Sequence, residues 1–248
     1  MKKIAATILM LTIAILSLSA QESTPKWEFD AKIGVNIGGT SPIPLPEEIR
    51  KIESYSPQFA PTIEATATRR INGRWGVSCG LRAEKKAMST QAQVKNYRTE
   101  IIGEGGNKLR GNWTGKVHTE CDNLYLTIPL QAVYRLNKHF DFSGGVFFSY
   151  LLDGSFDGYV NDGYLRKDNP TGDKIVFDKA NKGTYDFSNE INNFSWGVQA
   201  AAHWNTSDRV KLSAQLTWGA NELFKSSFKT ISFAMYPIYL NIAAGYRF

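Results

Sequence analysis

Cysteine, histidine and long apolar runs are all in short supply in this chain of 248 residues. The two cysteines, Cys79 and Cys121, allow one disulfide at most. They fall on opposite sides of the alternation described below, so single thiols are expected. The three histidines, His118, His139 and His203, are scattered and give no metal-ligand spacing. Beyond residue 18 no segment reaches the roughly 20 apolar residues that a spanning helix needs. Nucleic-acid-binding motifs and dense Lys/Arg blocks are also missing, so the formal charge of +6 points to no nucleic-acid partner. Nothing in these gaps signals a reaction or a cofactor.

The one long apolar run stands at the start. Lys2 and Lys3 precede an uncharged stretch from Ile4 to Leu18, and Ser19-Ala20 then leads into polar Gln21-Glu22-Ser23-Thr24. That layout is a secretory signal peptide over 1–20, with cleavage expected after Ala20. No Cys follows the cut, which excludes a diacylated lipoprotein. The remainder, 21–248, suits one all-β domain of ordinary barrel size.

Along that remainder, apolar residues recur at every second position in eight segments, each long enough for the roughly 9–11 residues of a tilted membrane strand. The first runs through Trp27, Phe29, Ala31, Ile33, Val35 and Ile37. The second, 59–71, is weaker, and the third follows an Asn72-Gly73 turn with Trp75, Val77, Cys79 and Leu81. The others are Leu124 to Leu136, Phe140 to Leu152, Phe194 to Trp204, Val210 to Ala220 and Tyr236 to Phe248. Connections of a few residues alternate with long ones at 38–58, 88–121, 153–190 and 221–232. The pattern predicts an all-β fold, an eight-stranded antiparallel up-and-down transmembrane β-barrel with short periplasmic turns and long extracellular loops.

Alternation alone does not say which face meets lipid, but the aromatics sort by height. Trp27, Trp75, Trp204, Tyr246 and Phe248 fall at the periplasmic ends of their strands and Trp196 and Trp218 near the outer ends, with aliphatic residues between. Two aromatic girdles around an aliphatic band match a bilayer, whereas a soluble barrel has no reason for such sorting. The lumen then receives Glu28, Asp30, Lys32, Arg70, Lys211 and Arg247 together with Glu64, Arg82, Glu84, Arg135 and Asp141, the last five read as a buried polar network. Eight strands enclose a space that side chains can fill, so the network is expected to replace an apolar core. A small passive pore is the alternative. Arg69 on the lipid face, and Pro61, Pro129 and Pro237 within strands, fit the pattern less well.

The segment Leu124-Tyr125-Leu126-Thr127-Ile128-Pro129-Leu130 and the glycine-rich Phe142-Ser143-Gly144-Gly145-Val146 strand with its Tyr150-Leu151-Leu152-Asp153-Gly154 ending resemble the PorT-like outer-membrane β-barrel family of Bacteroidota. The closing Gly245-Tyr246-Arg247-Phe248 looks like a carboxy-terminal insertion signal of Gram-negative barrels. The resemblance implies outer-membrane location, insertion through the barrel assembly machinery and no shared catalytic residues.

From Lys85 to Cys121, seven basic residues stand against three acidic ones. Lys95, Arg98, Lys108 and Arg110 are the cations expected to meet lipopolysaccharide phosphates. Asp157, Asp162, Asp168, Asp173 and Asp178 recur at intervals that do not match an EF-hand. A lipid A-modifying enzyme would need a His activating a Ser near the outer leaflet. His118 has the right height, yet no Ser partner is evident beside it. The sequence therefore predicts a non-enzymatic, monomeric, closed barrel that meets outer-membrane lipid, lipopolysaccharide and an unidentified surface partner through its loops.

Overall fold

In a computed structural model, residues 27–102, 107–178 and 181–248 are described. The signal-peptide assignment at 1–20 lies outside them. One antiparallel sheet of 11 strands contains β1 (Trp27–Pro42), β2 (Ile49–Pro57), β3 (Pro61–Arg70), β4 (Trp75–Ile102), β5 (Lys108–Arg135) and β6 (Phe140–Lys167). It continues with β7 (Lys174–Phe177), β8 (Gly183–Asp186), β9 (Phe194–Asn205), β10 (Val210–Gly219) and β11 (Met235–Arg247). Eight of these close a ring in the order β1, β3, β4, β5, β6, β9, β10, β11 and back to β1. Asp30 opposite Arg247 and Trp75 opposite Tyr134 mark two of the closing ladders. A ring without an edge is what lets strands cross hydrocarbon, because each backbone group must find its partner within the wall.

The eight predicted strands are the eight of this ring, but three are far longer than expected. β4, β5 and β6 each run 28 residues. Of the segments 88–121 and 153–190, expected as loops, 88–102, 108–121 and 153–167 are continuations of these strands, and β7, β8 and a 3-10 turn at Ser188–Glu190 follow. Likewise β2 occupies part of the expected 38–58 loop and pairs with β4 at Met88 to Val94.

The reason is a reversal of chemistry along strands that continue past the membrane. In the lower part of β5, Leu124, Ile128 and Leu130 face outward while Thr127 and Gln131 are buried within. Above Asn123 the inward positions become Cys121, Val117 and Trp113, all buried, and the outward ones Glu120, His118, Lys116 and Lys108. The strand keeps its direction while the medium outside it changes from hydrocarbon to water. A search for an apolar outer face therefore loses the strand where the bilayer ends.

These inward apolar residues form a second, ordinary core above the membrane. Met88, Ile101, Trp113, Val117, Phe156, Val160 and Leu165 from the three long strands pack with Phe177 and Tyr185 from β7 and β8. Ile191, Leu223, Phe224 and Ile231 complete it from the connecting segments, with Met235 from the start of β11. β8 pairs with β6 and, through Thr184 opposite Ile102, reaches β4, so the upper sheet curls over its own core. We call this module the cap. Its walls carry irregularities in register at Val94/Tyr97 and Thr114/Lys116, of the kind that tighten sheet curvature. At the second, a Cβ on Gly163 would stand 2.6 Å from the Gly115 Cα and 2.8 Å from Trp113 Cζ2. Glycine there lets the indole lie flat against the wall.

The exceptions have local explanations. Pro61 opens β3, and Pro129 stands where the β4–β5 ladder skips from Cys79–Leu130 to Arg82–Thr127. Pro237 lies just past the last β10–β11 pair, Trp218–Ile238. The Arg69 guanidinium rests 5.8 Å from the Trp27 ring centroid at the periplasmic rim. Cys79 is exposed on the outer wall and Cys121 is buried in the cap, both as free thiols.

Trp113 is fully buried in the cap and far from the bilayer. Trp113→Ala is expected to cost the cap about 3–5 kcal/mol while leaving the ring intact. Limited proteolysis should then cut within 88–121 or 153–190, while the heat-dependent electrophoretic shift of the folded barrel persists. Loss of that shift would show that cap and barrel unfold as one unit.

Candidate functional site

The lumen is filled by two layers of ion pairs. In the lower layer Glu28 accepts from Arg70 at 2.8 Å and from Arg135 at 2.9 Å. Asp141 lies 3.3 Å from Arg135 and 3.4 Å from Arg70, and Asp30 binds Lys211 at 2.7 Å and Arg247 at 3.2 Å. In the upper layer a continuous chain runs Lys32–Glu64 (2.5 Å), Glu64–Arg82 (3.1 Å), Arg82–Glu84 (3.3 Å) and Glu84–Lys86 (3.4 Å). Thr127 donates to Glu84 at 2.7 Å, and Gln199 accepts from Arg82 at 3.3 Å. Between the layers, His203 is held by Ser143 and Ser213 at 2.9 and 2.8 Å. Strand periodicity explains these neighbours, since Glu64 stands opposite both Lys32 and Arg82 in the ladders of β3.

The five residues expected in the lumen network all lie inside the ring, in two layers. Glu64, Arg82 and Glu84 share the upper layer, whereas Arg135 and Asp141 belong to the lower one. Burying such charges costs several kcal/mol per ion unless every one is paired, which the two layers achieve.

Lys86, grouped with the loop cations at the sequence level, belongs instead to the lumen. It is 2% exposed, and its ammonium lies 5.1, 5.2 and 6.0 Å from the ring centroids of Phe147, Tyr125 and Tyr239. Arg82 already shares Glu84, so three aromatic faces supply the rest of the compensation for this cation. Immediately above come Met88 and Cys121, the floor of the cap core. The signal for Lys86 was its even number, in phase with inward-facing Arg82 and Glu84.

The aromatic girdle residues Trp27, Trp75, Trp196, Trp204, Trp218, Tyr246 and Phe248 all project outward, each 41–55% exposed. Lys95, Arg98, Lys108 and Arg110 lie on the far part of the β4–β5 hairpin, well beyond the girdle. Lys108 and Arg110 both engage Glu100, at 3.2 and 2.6 Å. Partial burial of Glu100 opposes its ionisation, but the hydrogen bonds and charges of Arg110 and Lys108 outweigh this and hold its carboxyl below the usual value. Lys95 and Arg98 have no ion pair among the described residues. An open cavity of about 490 Å³ at this end brings Arg98, Lys108, Arg110 and Lys229 together with Glu100, Asp168, Asp186 and Glu190, a balanced set.

Around His118 the structure supplies a serine that the sequence hides. Ser89 lies on β4 two residues from Gln91, the register partner of His118, with its Oγ 3.4 Å from His118 Nε2. Glu120 Oε1, however, is 3.1 Å from the same Nε2. A catalytic relay needs serine and acid on opposite ring nitrogens, so this cluster is a surface hydrogen-bond group. Burial pushes the Cys121 thiol up to about 12, which keeps it protonated and unreactive in the cap core. Among the described residues no three His, Cys, Asp or Glu are placed to hold a metal ion.

An edgeless ring of eight strands, apolar and girdled outside and ionic within, defines an integral outer-membrane barrel. Residues 19–225 match the outer membrane protein beta-barrel domain, and the chain belongs to that family. Among solved structures it is similar to the attachment invasion locus protein Ail of Yersinia pestis, with 13% identity over 90% of this chain and 99% of that one at a TM-score of 0.38. Neisserial surface protein A is similar too, with 9% identity over 92% of this chain and 100% of that one at a TM-score of 0.37. A search of curated proteins finds no match.

Arg82 is the bridge between two buried carboxylates. Arg82→Met should destabilise the barrel by about 3–5 kcal/mol, because Glu64 and Glu84 lose their shared counter-ion. Urea unfolding in phosphatidylcholine vesicles measures this. Removing every charge of the upper layer at once, in Lys32→Met, Glu64→Gln, Arg82→Met, Glu84→Gln, Lys86→Met, should recover most of the loss; failure to recover would assign the effect to packing.

Proposed function

We propose that this protein is a closed, non-enzymatic outer-membrane barrel whose membrane part anchors a folded cap, and that the cap presents a binding surface outside the cell. The observation that carries this is the cap core itself. A rigid module with its own buried apolar residues, set on long strands above the lipid, holds its outer face in place before a partner arrives and so lowers the ordering cost of binding. The closed state is supported by the two ion-pair layers and by Lys86, Met88 and Cys121 stacked across the axis. The absence of enzymatic function is supported by Ser89 and Glu120 sharing one nitrogen of His118. Export by a cleaved signal peptide, and a place among PorT-like barrels, rest on the residues quoted above.

Lipopolysaccharide remains the partner class that the cap's cations favour, and Lys95 and Arg98 carry the free charge. Binding of a phosphorylated inner-core oligosaccharide to the protein in phosphatidylcholine nanodiscs should weaken more than about tenfold in Lys95→Gln/Arg98→Gln, since hydrogen bonds to charged groups contribute roughly 1.5–3 kcal/mol each. Unchanged affinity would make these residues ordinary solvated charge.

In planar bilayers the purified protein should show no steady unitary currents. Stable channels would overturn the closed barrel and favour the small passive pore.

A further inference from the structure

The wall of the molecule unzips between β1 and β3 above the membrane. β1 and β3 pair up to Val35–Pro61, and Asn36 N–H donates to the Ala60 carbonyl. Above that point β1 continues to Pro42 along β11, whereas the chain beyond β3 continues as β2 along β4. Between β1 and β2 there is no ladder, and Tyr55 Oη donates to the Gly38 carbonyl at 2.7 Å across the gap. The seam opens into an apolar cavity of about 340 Å³, lined by Gly39, Ile52 and Tyr55 at its lips and by Met88, Ala92 and Met235 within. The corresponding break on the other side, where β6 and β9 separate above Tyr150–Phe194, is filled by Ile191, Leu223 and Phe224 of the cap. At the β1–β2 break the side chains of the described residues leave the space open.

Position identifies the occupant. Gly39 pairs with Ile238, which pairs in turn with Trp218 of the outer girdle. The lips therefore begin where the outer leaflet ends. Below and beside them Ile37, Leu45, Ile52, Phe59 and Ile63 are exposed at 46–76%, so an unbroken apolar surface runs from the lipid-facing wall into the cavity. Gly39 lies in the lip beneath Met88, where a Cβ would come within 2.7 Å of the Met88 Sδ.

We propose that this seam admits one hydrocarbon chain of an outer-leaflet lipid, which lies between β1 and β2 with its end against Met88 and Met235. The inference stands on the membrane orientation of the ring and is independent of what the cap binds. The headgroup remains outside, level with Arg50 and Lys51 of β2, both exposed.

The test uses the full protein in phosphatidylcholine vesicles containing a trace of phosphatidylcholine with a diazirine at the end of one acyl chain. After irradiation, peptide mapping should find adducts at Met88, Ala92 and Met235 as well as on the outward band at Ile63 and Leu240. Ala92→Phe fills the cavity, and its adducts at Met88 and Met235 should be lost while those on the band persist. Thr90→Phe serves the same purpose if Ala92→Phe does not fold, as judged by the heat-dependent gel shift. Adducts confined to the band in the unaltered protein would overturn the proposal, and so would cavity adducts that survive both substitutions.

Discussion

Hydrocarbon on the outside of the wall is the constraint from which the rest of the structure follows. It requires Ile33, Val77, Leu130 and Leu212 to face away from the protein, and strand geometry then sends every intervening residue into the lumen. Those residues cannot be mostly apolar, because the alternation must be kept through eight strands while the chain remains soluble enough to be exported. The interior is therefore ionic, and the pairing of its ions becomes the condition for folding. The surplus cations occupy the two positions that tolerate them. Arg135 and Arg247 are partly wetted at the periplasmic mouth, and Lys86 is surrounded by aromatic faces at the roof.

Lys86 also marks the level at which the constraint lapses. One step further along β4, Met88 and its register partner Cys121 are buried in an ordinary core. A single hairpin thus satisfies two opposite burial rules without changing its backbone, by exchanging the residue types on its two faces at the membrane surface. The lumen and the cap meet at a plane of packed side chains.

Fold class and ring were legible because both depend on period two, which the membrane segments display over Trp27–Ile37, Leu124–Tyr134 and Tyr236–Phe248. The cap was not, for an equally physical reason. Trp113, Val117 and Cys121 keep the same period but with the opposite phase, interrupted by Gly115 at φ 151°, and on the neighbouring β4 Asn96 at φ 57° breaks the pattern too. A template that asks only for apolar residues on the lipid face cannot register a strand whose apolar face has turned inward. The lumen residues were found by phase alone, yet phase gives no height, so Arg135 and Asp141 were joined to Glu64, Arg82 and Glu84 although a layer containing His203 lies between. Ser89 beside His118 depended on the β4–β5 register, which extends far above the bilayer and leaves no trace in local sequence.

The open seam follows from joining two differently closed sheets. At membrane level eight strands share the circumference; above it β2, β4, β5, β6 and β8 form the curved cap, while β1 and β11 continue upward as a separate pair. Strands that separate from their ring neighbours must leave gaps, and the chain has two. Long connections supply Ile191, Leu223 and Phe224 to one of them. The other lies between β1 and β2, whose connection, residues 43–48, is too short to fold back across it. Its lips are apolar and begin at the height where the outer leaflet ends, continuous with the lipid-facing wall below. A gap with polar lips would break that apolar surface, and a gap facing water would need side chains to cover it, so composition and position agree on one kind of neighbour.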